Sequence, residues 1–97
     1  MFLPDPIEFQ WDKGNKDKNL LKHDVSLEEI EQSFFDSHKK QFEDKLHSKN
    51  ENRYILIGKT RKNRILFIIY TIRKNKIRVI SARDLNKRRY YLYEKTT

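Results

Sequence analysis

The strongest constraint on the fold is the segment at residues 65–72, which is apolar almost without interruption. A strand of this kind is typical of a sheet interior, where both faces are covered. A second strand-like segment follows at residues 77–82, and only residues 73–76 separate the two. A connection this short joins two strands only as an antiparallel hairpin. The sequence therefore predicts an antiparallel sheet.

Three further segments have the pattern of strands. Residues 54–57 form an apolar run that ends at Gly58. Residues 7–12 alternate apolar and polar side chains, as a short edge strand does, and the two prolines before them are compatible with an edge position. Residues 39–46 fit either a helix or a strand, and we favour a short strand. Together these segments predict a sheet of about four strands.

A helix over residues 26–36 is predicted by its start signal. Ser26 and Glu29 have the spacing of a capping box, in which each side chain accepts a hydrogen bond from the other residue's backbone N–H. Val25 and Ile30 stand where a hydrophobic staple would lie. Apolar side chains then recur at helical spacing along one face.

Two more helices are predicted, over residues 12–23 and 84–94, the second with Asp84 as its N-cap. The complete prediction is an α+β fold with two N-terminal helices, an antiparallel sheet of about four strands and a C-terminal helix. At 97 residues, the chain is expected to form one domain spanning residues 1–97.

Charge is distributed very unequally along the chain. Residues 51–97 carry 14 Lys or Arg against three acids, whereas residues 1–50 carry eight bases against 11 acids. The basic half also contains most of the predicted strands. Cations held on a rigid sheet create a localised positive field that attracts polyanions. Nucleic acid is therefore the first partner that we expect, and an acidic protein is the second.

Composition excludes several classes of activity. The chain has no cysteine and only two glycines, which excludes thiol chemistry, disulfides and cysteine-ligated zinc. No phosphate loop, dinucleotide fingerprint or nucleophile elbow is present. The three histidines form no ligand pair at helical spacing, so we predict neither a metal nor another cofactor. No stretch reaches the roughly 20 apolar residues of a membrane span, and no secretory signal is visible. We expect a cytoplasmic protein without a membrane partner.

RNA cleavage stays open because it needs few chemical groups. The 2′-hydroxyl of the substrate is the nucleophile, and a protein need only orient it, offset charge on the phosphorane and move two protons. Arginine suits the second task because its forked donors carry a permanent charge. By strand parity, Arg53 shares a face with Ile55 and Ile57, while Arg78 shares one with Ile80 and Ala82.

Arg83 stands where the last strand ends, a common place for a functional side chain. The alternative for all three arginines is that they extend past the sheet edge or pair with carboxylates of the acidic half. His23 is a candidate general acid or base, or else a cation that stabilises the end of the first helix. Trp11 is more typical of a core residue than of a base-stacking platform. The tyrosines at 90, 91 and 93 fit base stacking, although such clusters more often pack a terminal helix onto its sheet.

An ordered series of residues between Ile7 and Glu94 resembles the BrnT toxins, a family in the RelE-like group of small ribonucleases. Its most specific parts are the Lys-His-x-Val step at residues 22–25 and the Ile-Ser-Ala-Arg strand end at residues 80–83. The series comprises Trp11-Asp12, Asn19, Lys22-His23, Val25, Phe34-Phe35, Arg53, Gly58, Tyr70-Thr71, residues 78–83 and Tyr93-Glu94.

The resemblance implies a metal-independent endoribonuclease that arrests growth by cleaving RNA. It also implies a cognate antitoxin with a DNA-binding ribbon-helix-helix segment, a heterotetrameric complex, and operator DNA bound only through that complex. The RNA-site role is carried over by position to Lys22, His23, Arg53, Arg78 and Arg83. Two residues depart from the family pattern. Asp24 stands where many relatives have glycine, and Asn15 stands where a lysine is common.

Two other functions are compatible with the same sequence. One is a non-catalytic basic module that binds an acidic antitoxin and contributes to DNA-bound repression. The other is inhibition of a DNA topoisomerase, as in ParE-type relatives of similar size. Growth arrest with loss of intact RNA distinguishes the ribonuclease from both.

Overall fold

The computed structural model of the chain describes residues 3–12 and 23–94, with the backbone alone for His47 and Glu94. These residues form an α+β fold, as predicted. The elements in chain order are helix α1 (Leu27–Phe34), strands β1 (Lys40–Glu43), β2 (Arg53–Lys59), β3 (Ile65–Arg73) and β4 (Lys76–Asp84), and helix α2 (Tyr91–Glu94), with 3₁₀ turns at Lys45–His47 and Lys87–Arg89.

The two predicted N-terminal helices can be compared with the structure only in part. Of the two predicted, the described residues contain α1 alone before the sheet. The other, over residues 12–23, falls almost entirely on residues 13–22, which lie outside the described residues. The prediction of two N-terminal helices is therefore confirmed for one of them.

The four strands form one antiparallel sheet in the order β1-β2-β3-β4. The apolar strand β3 lies in the interior, as its sequence predicts. Lys74 and Asn75 connect it to β4 with φ angles of 51° and 65°. Two successive positive φ values give the tight turn whose twist matches that of the flanking strands. The predicted hairpin and the predicted short strand in residues 39–46 are both confirmed.

Both faces of the sheet are covered, but unequally. One face, here called the helix face, packs against α1 and the N-terminal segment through a core that includes Phe34, Leu56, Ile68 and Tyr70. The opposite face carries a smaller core at one end, where the C-terminal segment covers the sheet. That core comprises Ile57, Ile65 and Leu85, with Ile55, Phe67, Tyr90, Leu92 and Tyr93 packed around it.

Helix α1 begins as its sequence predicts. The Ser26 hydroxyl accepts the Glu29 N–H at 3.1 Å, and the Glu29 carboxylate accepts the Ser26 N–H at 3.1 Å. Val25 and Ile30 are fully buried on either side of this box. At the other end of the helix, a Cβ on Gly58 would overlap the carbonyl oxygen of Ser33. Glycine at this position lets the helix lie directly on the sheet.

The N-terminal segment runs along the free edge of β4 but is not a full strand. Phe9 forms an isolated parallel bridge with Ile77, in which the Ile77 N–H donates to the Glu8 carbonyl and the Gln10 N–H donates to the Ile77 carbonyl, both at 2.8 Å. Phe9 also packs edge-to-face on Phe34. Trp11 stacks on Phe9, packs on the core and donates to Glu31 at 3.0 Å. Trp11 is a core residue, as expected from its type.

The C-terminal helix begins later than predicted. Asp84 is the last residue of β4, paired with Leu66, and its carboxylate binds Arg64 instead of capping a helix. Asn86 caps the 3₁₀ turn Lys87–Arg89 instead and accepts the Arg88 N–H at 2.9 Å. The prediction failed because a cation distant in sequence binds the Asp84 carboxylate.

Candidate nucleic-acid interface

A β-bulge in β4 decides which arginines lie together. Ile69 pairs with Ser81, but Tyr70 pairs with Val79, so β4 contains one extra residue, Ile80, at this point. One extra residue inverts the alternation of side chains beyond it. Ala82 consequently belongs to the core of the helix face, not to the face of Arg78. The parity prediction for Ala82 is wrong for this reason.

The same bulge places Arg83 on the side of the sheet that carries Arg53 and Arg78. Arg53 pairs with Thr71, which pairs in turn with Arg78, and cross-strand partners lie on the same face. Arg83 pairs with Phe67, four residues back along β3 and therefore on the face of Thr71. We call the side that carries Arg53, Thr71, Arg78 and Arg83 the arginine face.

Arg53 and Arg78 flank Thr71 from the two neighbouring strands. Since adjacent strands lie about 4.8 Å apart, the two arginine backbones are about 10 Å apart. Thr71 is buried, and its hydroxyl donates to the Asn52 carbonyl at 2.7 Å. That bond holds the start of β2 in place. Thr71 is thus a positioning residue for Arg53, which directly follows Asn52.

The arginines of this face differ in how far they are neutralised. Arg78 binds Asp12 at 2.8 Å. The Arg83 guanidinium lies over the Phe67 ring, 4.9 Å from its centroid. Neither Arg53 nor Arg83 has a carboxylate within ion-pair distance among residues 3–12 and 23–94.

The pKa of Glu51 is lowered by the positive charges at this end of the sheet. Two hydrogen bonds of 2.9 Å from Arg73 lower the pKa of Glu51, against an opposing effect of burial. The positive charges of Arg53 and Arg78 lower this pKa further. Arg73 therefore neutralises Glu51, and of the two arginines that flank Thr71, Arg78 binds the carboxylate of Asp12.

Arg64 has a different environment. Its guanidinium donates to both oxygens of Asp84 at 2.6 and 3.1 Å, and to Glu29 at 3.1 Å. It also donates to the backbone carbonyls of His23 and Asp24 at 3.0 and 2.6 Å. The alternative interpretation of the candidate arginines was that they pair with carboxylates of the acidic half. Arg64 makes such a pair with Glu29. Its role is to join α1, β4 and the segment before α1.

These contacts shift the pKa values of both acids. Hydrogen bonding from Arg64 lowers the pKa of Asp84, against an opposing effect of burial, and the His23 ring adds a smaller lowering effect. Burial alone would raise the pKa of Glu29. Hydrogen bonds from Ser26 and Arg64 outweigh that effect, so the pKa lies below its ordinary value.

His23 lies at the Asp84 end of β4, away from Arg53 and Arg78. The partners of Asp84 and Arg78 on β3, Leu66 and Thr71, are five positions apart, which corresponds to about 17 Å of strand. Asp24, after His23, has a φ of 53°, a conformation that glycine adopts at lower cost. The Arg64 contact to the Asp24 carbonyl stabilises it. Lys22 lies outside the described residues. Of the five candidates, the structure brings Arg53 and Arg78 together, with Arg83 farther along the same face.

A family model described as "Ribonuclease toxin, BrnT, of type II toxin-antitoxin system" matches residues 11–89. The chain belongs to the BrnT family. It is thus a toxin of a type II toxin–antitoxin system, of a ribonuclease class, and its family implies an antitoxin protein as its partner. The matched region contains every residue of the arginine face. None of the curated proteins compared with the chain matches it.

Two residues of the arginine face were missed among the candidates from sequence. Thr71 was part of the BrnT resemblance, but nothing in its local sequence indicates the contact with Asn52. Phe67 lies inside a uniformly apolar strand, where one aromatic residue gives no signal of its own. The pairing of Phe67 with Arg83 depends on the β4 register, which sequence spacing alone does not provide.

The C-terminal tyrosines of this BrnT chain mainly pack the terminal helix. The Tyr93 hydroxyl donates to Asp36 at 2.6 Å, and the Lys59 ammonium lies over the Tyr93 ring. Burial alone would raise the pKa of Asp36, but hydrogen bonds from Tyr93 and from the Lys59 and His38 amides lower it below its ordinary value. Tyr91 is 62% exposed. The packing interpretation therefore holds for Tyr93.

Other kinds of site are not formed by the described part of this BrnT chain. Within it, no group of three or more His, Asp or Glu side chains is arranged to hold a metal ion. Its helices also include none with the length and apolar character that crossing a bilayer requires.

Proposed function

We propose that this BrnT-family chain is an endoribonuclease that binds a phosphodiester of RNA between Arg53 and Arg78. The observation that carries the proposal is the shared position of the two arginines on either side of Thr71. Guanidinium groups approaching from both sides can donate to the non-bridging oxygens of one phosphate. Such donors stabilise the extra negative charge of the phosphorane more than that of the starting diester.

The proposed reaction uses the substrate's own nucleophile. The 2′-hydroxyl loses its proton and attacks the adjacent phosphorus, the bond to the 5′-oxygen breaks, and that oxygen takes up a proton. The products are a 2′,3′-cyclic phosphate and a 5′-hydroxyl end. Lys22 and His23 are proposed to assist proton transfer or to offset charge on the leaving oxygen. Because His23 lies at the other end of β4, its role needs a test of its own.

A test of the phosphate site compares two double variants in the presence of EDTA. Arg53→Ala with Arg78→Ala should lower kcat/KM for RNA cleavage by about 10²-fold or more, as removal of transition-state donors typically does. Arg61→Ala with Lys62→Ala, at the exposed β2–β3 turn, is the matched control and should stay close to the parent. Full activity in the first variant would reject the site.

A separate test addresses His23. If His23 transfers a proton, His23→Gln should remove one limb of the pH profile of kcat while the fold is retained. An unchanged profile would show that another group moves the proton.

The proposed biological setting follows the family pattern. A cognate antitoxin with a ribbon-helix-helix segment would neutralise the toxin in the cytoplasm. The complex would be a heterotetramer, and operator DNA would be bound only through it. Mass measurement of the co-expressed complex, followed by operator binding with and without the antitoxin, tests these points.

One observation favours a second function, a non-catalytic basic module. Arg78 already has a carboxylate partner in Asp12, so one of the two proposed phosphate ligands is partly neutralised within the chain. In that case expression without antitoxin leaves growth and RNA intact, while antitoxin binding and repression are retained. Growth arrest with DNA damage and intact RNA would instead indicate action on a topoisomerase.

A further inference from the structure

We propose that Arg83 and Phe67 form a nucleobase-stacking subsite, separate from the phosphate site at Arg53 and Arg78. This subsite would restrict the substrate to RNA with an unpaired strand. The proposal rests on the ribonuclease function proposed above and adds the form of RNA that the enzyme accepts.

The geometry of Arg83 differs from that of the other arginines with described contacts. Arg64, Arg73 and Arg78 each bind a carboxylate. The one contact that the described structure gives the Arg83 side chain is with the Phe67 ring. The residue is exposed. Its guanidinium is therefore held against an aromatic face on one side and is accessible to solvent.

A guanidinium that contacts an aromatic ring on one side can bind a further flat group on its exposed side. A guanidinium is planar, weakly hydrated and able to stack on aromatic faces. Nucleobases of single-stranded RNA stack on aromatic side chains and on arginine planes. The contact with the Phe67 ring limits the positions of the Arg83 guanidinium before a ligand arrives, which lowers the entropy that binding would otherwise cost. A base can then complete the order Phe67, Arg83, base.

The spacing argues against a shared phosphate. Phe67 and Thr71 are four residues apart on β3, which corresponds to about 13 Å. A single phosphate held by Arg53 and Arg78 does not reach the Arg83 position, whereas an oligonucleotide does.

The surface between the two positions also suits an unpaired strand. The row between them on the same face consists of Ile55, Ile69 and Ser81, all partly exposed. Phe42, the neighbour of Ile55 on β1, is 38% exposed. Apolar side chains here would contact base faces, which a duplex does not expose because its bases are stacked on one another.

The experiment uses a fully 2′-O-methylated single-stranded oligonucleotide of about 12 residues, which lacks the nucleophile and stays intact. 2-Aminopurine is placed at successive positions, and its fluorescence is followed on binding. We expect a change at one or two adjacent positions with the parent protein. Annealing a complementary strand to the oligonucleotide should remove the fluorescence change and weaken binding.

Two substitutions separate stacking from charge. Phe67→Leu preserves apolar packing but removes the aromatic support, and Arg83→Lys preserves the charge but removes the plane. Each should abolish the fluorescence change and weaken binding of the single strand roughly 5- to 150-fold. Phe35→Leu and Arg61→Lys, at exposed positions outside the arginine face, are the matched controls. The fluorescence of Trp11, the only tryptophan, verifies the fold of each variant.

The outcomes distinguish the subsite from the enzyme. If the parent cleaves RNA but 2-aminopurine is unaffected at every position, the subsite is rejected and the ribonuclease stands. If Arg83→Lys behaves like the parent, Arg83 is a phosphate contact and the stacking proposal is equally rejected. A parent that neither binds nor cleaves RNA overturns both proposals.

Discussion

Arg64 and Arg83 show two uses of the same side chain at the same end of one sheet. Arg64 donates to two carboxylates and two backbone carbonyls, whereas Arg83 contacts one aromatic ring. The first joins three parts of the fold, whereas the second has no hydrogen-bond acceptor among residues 3–12 and 23–94. The comparison shows that a surplus of positive charge in the sequence does not by itself define a surface that binds nucleic acid. The local supply of oxygen acceptors decides which cations are free to bind a ligand.

The largest effect that we expect is a difference in stability between variants of Arg64 and variants of Arg83. Arg64→Ala removes the guanidinium that donates to Asp84, Glu29 and two backbone carbonyls. It should lower the free energy of unfolding by about 2–3 kcal/mol. Arg83→Ala should change it by less than about 0.5 kcal/mol, as exposed positions usually do. Urea denaturation followed by Trp11 fluorescence measures both, and equal losses in the two variants would contradict the comparison.

A smaller effect is expected on the stability of the fold at low pH. The folded-state pKa values of Asp84 and Glu29 lie below their ordinary values of 3.8 and 4.5. Their stabilisation is therefore present above those values and is lost as the pH falls through the lower folded-state pKa values. The urea midpoint of the parent should begin to drop as the pH falls below 4.5 and should continue to drop below 3.8. In Arg64→Met this drop should be shallower, and an equally steep drop would show that other carboxyls cause it.

The smallest effect concerns the pair that partly neutralises the arginine face. Asp12→Asn removes the carboxylate that competes with a phosphate for Arg78, so binding of an uncleavable single-stranded RNA should become several-fold tighter at low salt. Asp5→Asn, an exposed acid in the same segment, is the control for the loss of one negative charge. Fluorescence anisotropy measures the change. Weaker binding would mean that Asp12 positions Arg78 for the ligand instead of competing for it.

Much of the fold could be predicted because its signals are local. The capping box at Ser26 and Glu29 depends on four consecutive residues, and the β3–β4 hairpin depends on the length of its connection. Both appear in the structure as predicted. The start of the C-terminal helix could not be predicted in this way. Asp84 has the residue type of a cap, but Arg64, 20 positions earlier, binds its carboxylate.

The candidate site was less predictable for a similar reason. Family resemblance selected Arg53, Arg78 and Arg83, but residue spacing placed Arg78 with Ala82. The bulge at Ile80 reverses that assignment, and no glycine or other local signal marks it. The cross-strand contact between Arg83 and Phe67 depends on the same register. A helix-capping motif is decided within one turn, whereas a strand register is decided between strands.

The amino-acid sequence by itself determined the antiparallel hairpin, the start of α1 and the surplus of positive charge in the second half of the chain. These depend on residue type, periodicity and short spacing. Only the tertiary structure decided which arginines share a face and which are neutralised. One extra strand residue inverts the side-chain alternation, and the acids that bind Arg64 stand 20 and 35 positions away in the chain. Distances of that kind are set by folding and are not encoded in any local pattern.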